Sequence, residues 1–84
     1  LTRKDKLLRR FQDRPRDFTW DELVRLLTAL GFKEARTGKT GGSRRRFIHG
    51  NGLVIMLHKP HPGNVVKAYV MDDVRNRLMD GGLI

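Results

Sequence analysis

Residues 44–58 read RRRFIHGNGLVIMLH, and the register of this stretch decides which side chains a sheet would bury. Two runs rich in β-branched and aromatic residues flank Gly50-Asn51-Gly52. They predict a hairpin with strands from Ser43 to His49 and from Leu53 to His58. Asn51-Gly52 alone suits a two-residue turn. That register puts Arg44 and Arg46 on the same face as Ile55 and Leu57, burying two arginines with the core. A three-residue loop, Gly50 to Gly52, instead sets Phe47 opposite Ile55 and Arg45 opposite Leu57. On the other face it sets Arg44 opposite His58 and Arg46 opposite Met56. A one-residue slip inverts every side chain, so the cost of burying charge selects the second register. Arg45 then sits at a strand end, where its head group reaches water.

Outward from the hairpin, the helices announce themselves by their ends. Thr19 is placed as an N-cap with Glu22 three residues on, and Phe18 and Leu23 are spaced for a hydrophobic staple. The stripe Trp20, Leu23, Val24, Leu27 and Leu30 follows at helical spacing, and it reads as core. Gly31 is placed as a left-handed C-cap. Phe32 to Arg36 predicts a short first strand, and Thr37 to Gly42 a glycine-rich loop. Lys59 to Asn64, with Pro60 and Pro62, predicts an exposed connection. A last helix is expected from about Val66 to Met79, with Val66, Val70, Val74 and Leu78 on one face. Gly81-Gly82 stops it, and Leu83 and Ile84 fold back on the core. Tyr69 is expected to pack or to make a helix-surface contact rather than to stack on a base.

Residues 1–16 are the most basic part of the chain. Leu7, Leu8 and Phe11 lie there at helical spacing, Thr2 and Asp5 form a capping-box pattern, and Arg14-Pro15-Arg16 ends the helix. Three roles are open to it: packing on the domain, extending the basic surface, or mediating dimer contacts. The predicted order is helix, helix, three strands, helix. Closely linked consecutive strands imply an antiparallel sheet with helices on one face and solvent on the other, an α+β fold.

The 84 residues suffice for a single domain, 1–84, with 1–16 a basic helical extension and 18–84 the core. Eighteen Lys and Arg face nine Asp and Glu, a net charge of +9. Such a charge on so small a chain favours a polyanion, and arginine, the better phosphate fork, outnumbers lysine. The chain has no cysteine. That excludes a disulfide framework, a thiolate nucleophile and a sulfur-ligated zinc site, and it fits the cytoplasm. No apolar stretch is long enough to span a bilayer, so no membrane partner is expected. His49, His58 and His61 lack a carboxylate or cysteine to complete a metal site, so no metal or other cofactor is expected. Gly38-Lys39-Thr40 lacks the glycine spacing of a phosphate-binding loop.

The selected register has a chemical consequence. It makes Arg44 and His58 cross-strand neighbours on the solvent face, with Arg46 beside them. Guanidinium groups opposite an imidazole suit a phosphate. Arg44 and Arg46, with Lys39, Ser43, Arg45 and Lys59, form the set expected to bind a nucleic-acid backbone.

Leu30-Gly31-Phe32, Gly42-Ser43, Phe47, Pro60-His61-Pro62 and Gly82-Leu83, in this order and spacing, resemble the HicA toxin family over roughly residues 18–84. The resemblance implies a fold like the double-stranded-RNA-binding domain. It also implies a toxin of a type II toxin–antitoxin system that cleaves mRNA and is neutralised by a HicB-type antitoxin. The family motif continues Gly-Ser-His, and its histidine is the catalytic residue; here that position is Arg44. A guanidinium stays protonated, so it cannot be a general base, but it can hold a phosphate or stabilise transition-state charge. Three readings stay open. His58 moves the proton from the neighbouring strand, in a metal-independent endoribonuclease with Arg44 on the phosphate. His61 does so from the connecting loop. Or catalysis is lost, and the chain is a non-enzymatic module that binds RNA or its antitoxin.

Overall fold

A computed structural model describes residues 2–35 and 44–84. The elements are α1 (Arg3–Gln12), α2 (Trp20–Ala29), β1 (Phe32–Ala35), β2 (Arg44–His49), β3 (Val54–His58) and α3 (Ala68–Asp80). The strands form one antiparallel sheet in the order β1-β2-β3. The architecture is α+β, as expected. The loop from Thr37 to Gly42, with Lys39, lies outside the described residues, as do Arg36 and Ser43.

The hairpin adopts the register that burial cost selects. Phe47 pairs with Ile55, Arg45 with Leu57, Arg46 with Met56 and Arg44 with His58. The His49 N–H donates to the Leu53 carbonyl at 2.9 Å, which closes the loop over Gly50 to Gly52. Phe47, Ile55 and Leu57 are buried, whereas Arg44, Arg46, Met56 and His58 are exposed. The two faces of one ribbon thus separate core from solvent, with the helices on the buried side.

Helix α2 is set by its cap. The Glu22 N–H donates to Thr19 Oγ1 at 3.2 Å, and the Thr19 N–H donates back to Glu22 Oε1 at 3.0 Å. Its buried stripe is Trp20, Leu23, Leu26 and Leu27. Leu26, which the periodicity left out, is buried, whereas Val24 and Leu30 are half-buried. Trp20 meets Phe47 of the sheet with ring centroids 6.0 Å apart, which locks helix to strand. Gly31 turns the chain into β1 at φ 103°. A Cβ there would lie 2.8 Å from His49 Nε2, so only glycine fits both the conformation and the space.

Of the three roles open to the N-terminal helix, the structure puts α1 to packing. Its capping box forms as expected. Phe11 is buried against Phe18, with ring centroids 5.5 Å apart. Arg10 reaches Glu22 at 2.7 Å and Asp17 at 3.0 Å, and it lies over the Phe18 ring. After the helix Arg14 takes a left-handed conformation, φ 54°, and pairs with Asp72 of α3 at 2.8 Å.

Helix α3 begins at Ala68, two residues later than periodicity predicts, because Val65 and Val66 are extended and pair with the residues before α2. Thr19 and Val65 form an isolated antiparallel bridge. The Val66 N–H donates to the Phe18 carbonyl at 2.8 Å, and the Trp20 N–H to the Asn64 carbonyl at 2.7 Å. Met71, Val74 and Leu78 are the buried positions of α3. At its end the Leu83 N–H returns to the Leu78 carbonyl, with Gly82 at φ 74°, and Leu83 and Ile84 pack on the core.

Candidate nucleic-acid interface

Alternation along β2 and β3 builds the exposed face of the sheet. Its rows are Ile48 with Val54, Arg46 with Met56, and Arg44 with His58. The face is graded. Ile48, Val54 and Met56 make an apolar end toward the turn, and Arg44, Arg46 and His58 make a basic end. Residues directly opposite in an antiparallel pair have Cβ atoms about 4.5–5.5 Å apart, close enough for a guanidinium and an imidazole to touch one phosphate.

Strand β3 is an edge of the sheet. Beyond it runs a groove of about 740 Å³, walled on its far side by the 59–67 connection and the start of α3. Its floor includes Trp20, Leu57 and Val66, all buried. His58, Lys59 and His61 stand along its rim, so both candidate proton-transfer residues open on the same space. The connection contains a cis peptide bond between His61 and Pro62.

The expected phosphate-binding residues therefore divide. Arg44, Arg46 and His58 share the outer face, and Lys59 lies with His58 at the groove. Arg45 is half-buried on the opposite face, where its guanidinium faces Glu34 at 3.5 Å and its Nη1 donates to the Arg44 carbonyl at 3.0 Å. Lys39 and Ser43 lie outside the described residues.

His49 belongs to the frame of the fold. Its Nδ1 accepts the Asn51 N–H at 3.0 Å, which leaves Nε2 to carry the proton that it donates to the Leu30 carbonyl at 2.9 Å. Its ring also meets the edge of Phe32, with centroids 5.1 Å apart. Both nitrogens are thus engaged in holding β1 to the hairpin. Among the described residues, no cluster of three or more His, Cys, Asp or Glu is placed to hold a metal ion.

Tyr69 stands in the first turn of α3. Of the two expected placements, packing is not met; the ring lies on the helix surface, 70% exposed at the groove. At ~100° per residue it stands roughly 140–200° from Val74 and Met71, on the far side of α3 from the core. The expected stripe holds at Val66, Val74 and Leu78, which are buried; Met71 joins them, and Val70 is half-buried.

The family model described as the HicA toxin of bacterial toxin–antitoxin matches residues 20–74. The chain belongs to the HicA toxin family. The matched stretch runs from the start of α2 into α3, and so takes in the whole sheet, the groove and Arg44. Helix α1 lies outside it, as the sequence pattern implies, and so does the Gly82-Leu83 close. No curated protein and no solved structure matches the chain. In this HicA-family chain no helix is long and apolar enough to cross a membrane among the described residues.

Proposed function

We propose that this chain is the toxin of a type II pair, a single HicA-like domain that binds and cleaves mRNA in the cytoplasm. The observation that carries this reading is the pairing of Arg44 with His58 on the exposed sheet face. The 2′-hydroxyl oxygen of the RNA attacks the adjacent phosphorus. The His58 imidazole takes the hydroxyl proton and delivers it to the departing 5′-oxygen as the P–O5′ bond breaks. The products are a 2′,3′-cyclic phosphate and a 5′-hydroxyl end, and no metal takes part. Arg44 stabilises the charge on the phosphoryl oxygens. Arg46 and Lys59 hold neighbouring phosphates, with Lys39 and Ser43 as further RNA contacts. His61, on the same groove, is the alternative proton carrier. A HicB-type antitoxin neutralises the toxin by covering the basic face with acidic groups and competing with RNA for it.

A second reading rests on Arg44 itself. With arginine where the family motif has histidine, the chain binds RNA or its antitoxin without cleaving. One assay separates the two. RNA is incubated with the wild-type chain and with His58→Ala, His61→Ala and Arg44→His, all in excess EDTA. Cleavage by the wild type, lost in His58→Ala and kept in His61→Ala, is the expected result. Loss only in His61→Ala moves the proton transfer to the loop. Intact RNA with the wild type and cleavage only by Arg44→His establishes the binding-only reading.

A further inference from the structure

The groove beside β3 is built unlike the phosphate face. Its floor of Trp20, Leu57 and Val66 is apolar and buried, and that floor offers a phosphate nothing. What it suits is a flat, largely apolar group with a polar edge. Tyr69 stands at its margin, 70% exposed, with no ring partner among the described residues. An aromatic ring held out from a helix costs apolar exposure unless something stacks on it. Asn64 also lines the groove, and its side-chain amide makes no hydrogen bond within the described residues, leaving donor and acceptor for a base edge. Lys59 and Lys67 flank the opening, with Asp73 as the carboxylate among the lining residues.

Size and position agree. About 740 Å³ lies within the range of roughly 300–1,000 Å³ that holds small ligands, enough for a nucleoside. His58 borders both the groove and the phosphate face, so a strand crossing from Arg44 and Arg46 over the edge of β3 arrives at the groove with one sugar–base unit to place. A duplex cannot use such a site, because its bases are stacked inside the helix. An unpaired base swings out at little cost.

We propose that the groove between β3 and the start of α3 is a nucleobase subsite, in which one unpaired base of single-stranded RNA stacks on Tyr69 while the flanking phosphates lie on Arg46 and Lys59. The subsite rests on the RNA-binding reading above and makes it specific. It confines the substrate to unpaired RNA, and it places the base contact next to His58. Tyr69 fixes the strand by stacking, and Asn64 discriminates between base edges.

The test compares two dodecamers of equal charge, one of 2′-fluoro-uridine, which has no 2′-hydroxyl to react, and one of abasic ribose phosphate. Affinities are measured against the full chain and its Tyr69→Ala and Tyr69→Phe variants. Tyr69→Ala should weaken the uridine oligomer about 5- to 150-fold, the worth of one base–aromatic stack, and the abasic one less than about 2-fold. Tyr69→Phe should keep the wild-type preference, and the dependence of affinity on salt should be the same in all three proteins. Because Tyr69 is mostly exposed, the variants should melt with the wild type. Equal weakening of both oligomers, or of neither, overturns the subsite while leaving RNA binding intact. Failure of the wild type to bind either oligomer overturns the RNA reading and the subsite with it. If Tyr69→Ala keeps its RNA affinity but loses the antitoxin, the groove belongs to a protein partner and the subsite is overturned.

Discussion

The α1–α2 corner and the β3 side of the sheet are both rich in positive charge, but they use it differently. At the corner, Arg10 is shared between Glu22 and Asp17, and Arg14 is held by Asp72. Around β3, by contrast, none of Arg46, His58, Lys59 and Lys67 sits in an ion pair among the described residues. The densest basic stretch of the sequence is thus partly committed to holding helices together, whereas Arg46, His58, Lys59 and Lys67 stand exposed. Net charge locates a function only after the internal pairs are taken out.

This contrast is broken most forcefully at His58. His58→Ala should lower RNA cleavage about 100- to 10,000-fold, the usual worth of a positioned acid–base group. The residue is exposed, so the melting temperature should stay within a degree or two. Single-turnover cleavage and a thermal melt, run together, check both halves. A variant that loses activity by unfolding would place His58 with the frame rather than the site.

The reverse experiment uses the glycine at the end of α2. Gly31→Ala puts a side chain at φ 103° and 2.8 Å from His49 Nε2, displacing the imidazole from the Leu30 carbonyl. The left-handed strain and the lost hydrogen bond together should cost about 2–3 kcal/mol. For a chain of this size that lowers Tm by roughly 10–20 °C. Below the new Tm, the rate of cleavage should be close to normal. His49 and His58 look alike in the sequence, nine positions apart on one hairpin. Only their pairing register and the close approach of Gly31 separate the structural imidazole from the exposed one.

The corner itself is tested through Glu22. Hydrogen bonds from Arg10 above all, and then the Thr19 backbone N–H, hold its carboxyl down to about 2 against the burial that would raise it, and the hydrogen bonds to Glu22 and then Asp17 raise Arg10. A carboxyl depressed in the fold contributes stability that is full above its unfolded value of about 4.3 and is lost as the pH falls through about 2. Glu22→Gln should therefore cost about 1–2 kcal/mol at neutral pH, and the difference from wild type should shrink toward zero between pH 4.5 and 2. Urea melts across that window read the effect directly. RNA affinity should be unchanged, because the corner faces neither the sheet surface nor the groove.

Much of this was legible in the residues. Capping boxes at Thr2 and Thr19 set two helix starts, because a side chain three residues along must satisfy a backbone donor that nothing else reaches. The hairpin register followed from a single cost, the burial of Arg44 and Arg46. Two things were not legible, and both depend on contacts distant in sequence. The start of α3 moved because Val66 bonds to Phe18, a pairing that local periodicity does not carry. The groove escaped for the same reason: Trp20, Leu57 and Tyr69 lie far apart in the chain, and only the closed sheet edge brings them to one space.

The smallest effect sharpens the comparison furthest, because it removes the same charge from the two regions. Arg46→Ala and Arg14→Ala each take one positive charge from a chain of +9. If binding followed net charge, the two would weaken RNA alike. Arg46 is exposed on the sheet face opposite Met56, so its loss should remove one phosphate contact. The slope of log affinity against log salt should become shallower by about 0.7, and the loss of affinity between 50 and 200 mM salt should shrink roughly 2.5-fold. Arg14 already has its charge balanced by Asp72 at 2.8 Å. Arg14→Ala should leave the slope unchanged and cost less than about 1 kcal/mol of stability, as for other partly exposed ion pairs. Salt titrations of both variants on one single-stranded RNA decide the matter. Equal slopes would mean that the whole surface of the chain, corner included, attracts the polyanion; unequal slopes confine the interface to the sheet side.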